Sequence, residues 1–240
     1  MANKVKSVWF CTSCGNESSK WMGKCPACGE WNTMVEETVA TGKRQNQSAN
    51  VPGKSQKPMP LSEIDSSKES RISLNNNEFD RILGGGIVEG SLVLIGGEPG
   101  IGKSTLSLQI PLMCPELKTL YVTGEESARQ VKLRAARIGG TDSNCLIYSE
   151  TLMENILAEA RGIMPDLMIV DSVQTMFSQN VESSPGSISQ IKETAAQLLR
   201  FAKETGVPVI LIVHITKEGS IAGPKILEHI VDVVLQFEGD

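Results

Sequence analysis

The sequence predicts an α/β protein: one doubly wound, mostly parallel sheet with helices on both faces, preceded by a small metal-held module. Three observations carry this. Short apolar runs alternate with helical segments from about Phe79 onward. A glycine-rich loop joins the first run to the first helix after it. Four cysteines fall before residue 29.

At 240 residues the chain can hold a full α/β domain and an appendage. Apolar residues make up 40% and charged residues 21%, an ordinary soluble balance. No apolar run reaches the ~18 residues of a membrane span, and Met1 to Trp9 lacks a secretory apolar core. A cytoplasmic protein is therefore expected. The net charge of −5 rules out a wholly basic, nucleic-acid-coating body. Its distribution is uneven: residues 1–70 carry 9 Lys/Arg against 7 Asp/Glu, and residues 71–240 carry 14 against 21. A DNA-binding surface would have to be a local basic patch, and charge alone equally suits an acidic enzyme.

Composition divides the chain in three. Residues 1–34 are rich in Cys and Trp. Residues 35–70 are polar, with Pro52, Pro58 and Pro60 close together; they bury too little apolar surface to offset ordering entropy and read as a flexible linker. Residues 71–240 form the α/β core. Its expected strands are Leu92–Ile95, Thr119–Val122, Cys145–Tyr148, Leu167–Val170, Pro208–Val213 and Val231–Phe237. Several are almost continuously apolar, as buried parallel strands are. Ser127 and Gln130 have capping-box spacing, and Gly139-Gly140 ends the helix they start. Thr151 and Glu154 repeat that spacing before Ile156, Leu157 and Ala160. Ile188, Ile191, Ala195, Leu198, Leu199 and Ala202 form a core-facing stripe ended by Gly206 and Pro208. Pro111 predicts an early stop or kink in the helix after the glycine loop.

That loop, Gly97-Glu98-Pro99-Gly100-Ile101-Gly102-Lys103-Ser104-Thr105, follows the strand Leu92–Ile95 and matches G-x-x-x-x-G-K-[ST] without a gap. Gly100 and Gly102 allow backbone N–H groups to turn inward around a β-phosphate. The helix beginning near Lys103 directs its positive end at the same anion. Lys103 is expected to bridge the β- and γ-phosphates of ATP, and Ser104 to offer its hydroxyl to Mg²⁺. Asp171 closes the apolar strand Leu167–Val170 and suits the carboxylate that holds the metal's water shell. Glu125 and Glu126 follow the strand Thr119–Val122, at the sheet edge where ligands bind. Glu125 is the candidate for orienting the attacking water. Glu126 is second, or serves only the N-terminus of the next helix.

Cys11, Cys14, Cys25 and Cys28 form C-x₂-C-x₁₀-C-x₂-C. Gly15 and Gly29 follow each pair, as tight knuckles need. Four thiolates suit a closed, structural Zn²⁺ site; two redox pairs are the alternative. A segment this short has little core and should unfold without its metal. Lys4, Lys6, Lys20 and Lys24 with Trp9, Phe10, Trp21 and Trp31 suit either a DNA-binding face or simple packing of the module. Cys114 and Cys145 read as small buried hydrophobes.

Asp80-Arg81-Ile82-Leu83-Gly84-Gly85-Gly86-Ile87, running into Gly90-Ser91-Leu92, resembles the entry to a RecA-type ATPase core. With the cysteine quartet, the phosphate loop and His214-Ile215-Thr216-Lys217-Glu218-Gly219-Ser220-Ile221-Ala222-Gly223-Pro224-Lys225, the chain resembles the RadA (Sms) family of bacterial DNA repair proteins. The resemblance implies a RecA-like P-loop core behind a rubredoxin-like zinc ribbon. It also implies a DNA-dependent ATPase of homologous recombination and repair, promoting branch migration alongside the RecA recombinase. The DNA would be single-stranded or a branched intermediate, and the full-length family is expected to form a homo-hexamer. By position Glu125 resembles the catalytic glutamate and His214 the residue sensing the γ-phosphate; a satisfied strand-end histidine is the other reading of His214. Lys217–Lys225 and Phe177–Ser189 resemble mobile loops lining the DNA path. The family continues into a Lys-Asn-Arg-Phe-Gly motif and a Lon-like domain, whereas this sequence stops at Gly239-Asp240, so a truncated form is expected. Two further functions suit the same residues: a regulatory ATPase with a protein partner, and a fragment that binds ATP and DNA without turnover.

Overall fold

The computed structural model describes residues 5–40, 60–63, 71–140, 143–215 and 227–238. The cysteine module is a three-stranded antiparallel sheet of β1 (Val5–Cys11), β2 (Glu17–Ser18) and β3 (Met34–Ala40), in the order β2-β1-β3. β3 pairs with β1 from Cys11↔Met34 to Val5↔Ala40. Residues 35–40, expected to open the linker, therefore complete the ribbon. All six pair with β1, a gain that composition alone does not register. Of the expected linker, 41–59 and 64–70 lie outside the described residues.

The core is entered through β4 (Arg71–Ile72), α1 (Asn77–Ile82) and β5 (Ile87–Val88). The Asn76 side chain caps α1 by accepting from Phe79 N–H at 3.0 Å. The main elements follow: β6 (Leu92–Gly97), α2 (Lys103–Met113), β7 (Thr119–Thr123), α3 (Ala128–Ile138), β8 (Cys145–Ser149), α4 (Met153–Ile163), β9 (Leu167–Asp171), α5 (Ile188–Thr205), β10 (Val209–His214) and β11 (Val233–Phe237). The six strands lie in the order β11-β6-β10-β9-β7-β8 and every pairing is parallel. β6, β7 and β9 are buried throughout, so their apolar runs show no alternation. The parity of the pleat still sorts side chains to two faces. Leu92, Leu94, Leu120, Val122, Met168, Val170, Leu211 and Val213 pack with α4 and α5. Val93, Ile95, Tyr121, Leu167, Ile169, Ile210 and Ile212 pack with α1, α2 and α3.

The helices start and stop largely where local chemistry dictates. Ser127 and Gln130 form the expected capping box, and Gly139 closes α3 in the left-handed conformation. α2 passes through Pro111 and ends two residues later. The box expected from Thr151 and Glu154 does not form. Leu152 is the N-cap, and Glu150 accepts the N–H groups of Thr151 at 2.7 Å and Leu152 at 3.0 Å. Glu154 turns away and accepts from Ser178 Oγ at 2.5 Å. Among the described residues no helix is long and apolar enough to cross a membrane.

The ribbon rests on the start of α5. Val8 and Phe10 are buried in the core cluster on the α4/α5 face. Glu37 accepts from Ile188 N–H at 2.8 Å and from Ser189 Oγ at 2.6 Å. Lys192 donates to the Gly15 carbonyl beside the first cysteine knuckle and lies 6.0 Å from the Phe10 ring centroid. Glu37→Ala should therefore cost about 1 kcal/mol, the usual worth of a helix N-terminal acceptor, read as a fall in the urea midpoint with unchanged slope.

Candidate nucleotide site and metal centre

β6 delivers the phosphate loop to the C-terminal edge of the sheet. Gly97, its last residue, is buried; Glu98, Ile101, Gly102, Ser104 and Thr105 are half-buried; Pro99 and Gly100 are exposed. Gly100 and Gly102 have φ of +81° and +109°, and a Cβ at either would meet nothing within 4 Å. The loop thus surrounds open space, with backbone conformations that side-chain-bearing residues rarely adopt. Lys103 crosses it, 2% exposed, donating to the carbonyls of Gly97 at 2.7 Å and Glu98 at 2.8 Å. Burial pulls its pKa below the ordinary lysine value, while the charges of Asp171 and Glu125 pull it back. Lys103 is thus within electrostatic reach of both carboxylates.

Asp171 ends β9 and is 3% exposed. Its Oδ2 accepts the Tyr121 hydroxyl at 2.6 Å, and its Oδ1 is buried without a partner. An open loop of glycines, a buried ammonium and an orphaned carboxylate oxygen are the donor and acceptor set that a phosphate with a hard cation requires.

Glu125 follows β7 across Gly124. A Cβ at Gly124 would lie 2.3 Å from Thr175 Oγ1, so only glycine lets the chain pass. Thr123 Oγ1 accepts the N–H groups of Glu125 at 3.3 Å and Glu126 at 3.1 Å, fixing the turn. The Glu125 carboxylate then accepts from Ser172 Oγ at 2.5 Å and lies 3.2 Å from His214 Nε2. The His214 bond is the main reason its pKa falls from 4.5 to about 2; Ser172 and Lys103 act in the same direction. Because the folded value is depressed, ionised Glu125 favours the folded state above about pH 4.5, and that contribution fades as pH falls toward 2. The His214 carbonyl, at the end of β10, accepts from Gln174 Nε2 at 2.9 Å, and the residue's buried Nδ1 has no partner. Glu126 pairs with Arg134 at 2.7 Å on α3 instead of facing Lys103. Ser172, Gln174 and Tyr121 are not picked out by the sequence; the only signal for Ser172 is its place directly after Asp171. Lys217–Lys225, expected beside the DNA path, falls within 216–226, outside the described residues.

The four thiols meet as the spacing predicts. All ligand atoms lie within 4.8 Å of one another, with Cys11–Cys28 and Cys14–Cys25 sulfurs 3.6 Å apart. A tetrahedron with metal–sulfur bonds of about 2.3 Å has edges near 3.8 Å, so a metal fits and zinc is the supported occupant. Gly15 N–H donates to the Cys11 carbonyl at 2.7 Å and Gly29 N–H to the Cys25 carbonyl at 2.9 Å, closing both knuckles. Of the aromatics, Phe10 packs inward, whereas Trp21 and Trp31 are 57% and 69% exposed and Lys24 lies 5.6 Å from the Trp31 ring centroid. Lys4 lies outside the described residues.

A phosphate loop, a buried strand-end carboxylate and a strand-end glutamate on a parallel sheet define a RecA-like nucleotide-binding core, here behind a four-cysteine ribbon. Family models agree in kind: residues 59–220 match an AAA domain and residues 9–36 a rubredoxin metal binding domain. DNA repair protein RadA of Bacillus subtilis (strain 168) is 50% identical over 99% of this chain and 53% of its own length. DNA repair protein RadA of Chlamydia muridarum is 47% identical over 99% of this chain and 52% of its own length. A crystal structure of a KaiC-like protein from Pyrococcus horikoshii OT3 superposes with a TM-score of 0.56 at 25% identity, over 70% of this chain and 81% of that one. The chain belongs to the AAA-domain family, and it is similar to several proteins named DNA repair protein RadA. It spans about half the length of those relatives.

Two outcomes follow. All three tryptophans, Trp9, Trp21 and Trp31, lie in the ribbon. Metal analysis should give one zinc per chain, and a strong chelator should change tryptophan emission while leaving most of the 222 nm ellipticity of α1–α5. His214→Ala removes the main cause of the low Glu125 pKa, so the acidic limb that Glu125 contributes to a pH–rate profile should move upward toward 4.5.

Proposed function

We propose that this chain binds ATP with Mg²⁺ and hydrolyses it, and that in the whole protein this turnover drives work on DNA during repair and recombination. What supports the reading is the convergence of Lys103, Asp171 and Glu125, each felt electrostatically by the first of them. Mg²⁺ would offset phosphate charge as it builds toward the transition state. Lys103 and the N–H groups of Gly100–Thr105 bind the phosphates. The Ser104 hydroxyl and Asp171 Oδ1 hold the cation's shell. Glu125 accepts a hydrogen bond from the attacking water and aligns it. His214, 3.2 Å from the Glu125 carboxylate, is the residue proposed to sense the γ-phosphate. DNA enters the proposal through the relatives' name, DNA repair protein RadA. Within it the finer assignment is branch migration beside the RecA recombinase, by a hexamer of the full-length protein in the cytoplasm, with single-stranded or branched DNA in contact.

The test is ATP hydrolysis with and without single-stranded DNA, across a salt series. DNA should raise turnover, and the stimulation should fall steeply with salt. Lys103→Ala should lose most nucleotide affinity. Glu125→Gln should keep affinity but lower turnover by roughly 10²–10⁴-fold. Turnover indifferent to DNA would reject the motor reading in favour of a regulatory ATPase with a protein partner. Turnover at background in the parent with ATP still bound would mark a binding-only chain.

A further inference from the structure

The Asp171 carboxyl group is not held by the phosphate loop. Its partner comes from the middle of β7, two pleat positions back on the same face. Tyr121 pairs with Ile169 across the β7–β9 ladder, and Thr123 pairs with Asp171. The Tyr121 ring is fully buried among the residues that pack with α2 and α3, yet its hydroxyl is not wasted on the apolar layer. It donates to Asp171 Oδ2 at 2.6 Å. It accepts from Arg134 Nη2 at 3.2 Å, reached from α3. Arg134 is itself held by Glu126 at 2.7 Å, with side-chain exposures of 13% and 31%. A chain of contacts thus runs Glu126–Arg134–Tyr121–Asp171, from the residue beside Glu125 to the end of β9.

The consequence lies in which carboxylate oxygen is left over. A phenol has one proton to give, and here it goes to Oδ2. Oδ1 is left buried and unpartnered. A carboxyl group free to rotate would offer either oxygen, or both, to a cation's water shell. We propose that Tyr121, supported by Arg134, is a positioning residue that orients Asp171 through Oδ2 so that Oδ1 meets the hydrated divalent cation arriving with the nucleotide. In this arrangement Tyr121 and Arg134 act through Asp171, as partners of metal-binding carboxylates commonly do.

The inference rests on the ATP-binding reading above, and a titration separates the two. Fluorescent ADP is titrated into the intact chain with EDTA and again with saturating Mg²⁺, and Mn²⁺ binding to the ADP complex is followed by EPR. In the parent, Mg²⁺ should raise ADP affinity. Tyr121→Phe keeps the ring volume and removes only the hydroxyl. It should leave the EDTA affinity unchanged and cut the metal-dependent gain and the Mn²⁺ affinity by roughly tenfold. In an Asp171→Asn background the same change should have no further effect on the gain, because the tyrosine acts through that carboxylate. An unchanged metal-dependent gain in Tyr121→Phe overturns the inference. So does an equal fall with and without metal, which is the mark of a merely structural tyrosine. Additive losses in the double variant overturn it as well. No ADP binding by the parent overturns the ATP reading and this inference with it. If Tyr121→Phe fails to fold, Arg134→Gln carries the same titrations, with a smaller loss expected and none counting against the inference.

Discussion

Two ionisable side chains kept out of water at one edge of the sheet govern the rest of this structure. Lys103 and Asp171 are 2% and 3% exposed. Taking such groups out of water costs several kcal/mol each unless partners and hydrogen bonds offset it. The offset for Lys103 is the pair of carbonyls from Gly97 and Glu98, together with the field of Asp171 and Glu125. β6 must therefore end where its last carbonyl can face the ammonium. The neighbouring strand leaves no room for a side chain at Gly97, whose Cβ would lie 2.8 Å from the Phe237 carbonyl of β11. The same requirement sets β9, which must carry Asp171 to the edge at the level where Tyr121 can reach it. The nucleotide site is thus the place where the packing of the sheet and the accommodation of charge are one problem.

The ribbon solves a different problem. Its own core amounts to Cys11, Cys25 and Met34, with Trp9 and Cys14 partly packed against them. So little apolar burial cannot offset the ordering of 36 residues, and the thiol tetrad is where the remaining free energy must come from. Val8 and Phe10 are spent instead on the face shared by α4 and α5. Glu37 sits at the positive end of α5, where a carboxylate is favoured by both the free N–H groups and the helix dipole. Lys192 ties the first knuckle to the same helix. Metal binding in the ribbon and the packing of the first turn of α5 are consequently joined by direct contact.

Legibility in the sequence followed the range of the interactions. The phosphate loop, the cysteine knuckles and the Ser127–Gln130 box are contiguous, and their residues have few other ways to satisfy one another. Asp171 and Glu125 were legible one step removed, because a polar residue after a buried parallel strand falls on the ligand-binding edge. The Thr151–Glu154 box failed since a competitor one residue upstream, Glu150, takes the free N–H groups, while Glu154 has a better use at Ser178. The linker starts later than composition predicts because residues 35–40 are ordered by pairing with a strand some thirty residues earlier. Tyr121 read as one more apolar strand residue. Nothing near it in sequence reveals a carboxylate fifty positions away. The Glu37 contact with α5 spans three times that distance and leaves no local trace.

Glu125 shows how that edge can tune chemistry without moving the fold. A carboxylate with a pKa of about 2 is a poor proton acceptor at neutral pH, since base strength is best matched to the working pH. Held as it is by Ser172 and His214, it can align a water molecule far better than it can deprotonate one. Its basicity is set mainly by the His214 bond, and His214 is the last residue of β10. Ile215, next in the chain, donates its N–H to the Gly97 carbonyl, the same oxygen that receives Lys103. The end of β10 therefore touches both the group that would bind phosphate and the group that would act on water. Lengthening the His214 bond would raise the proton affinity of Glu125, because that bond is the main cause of its low value. Two adjacent residues at the end of β10 thus contact the carboxylate and the carbonyl that accepts Lys103.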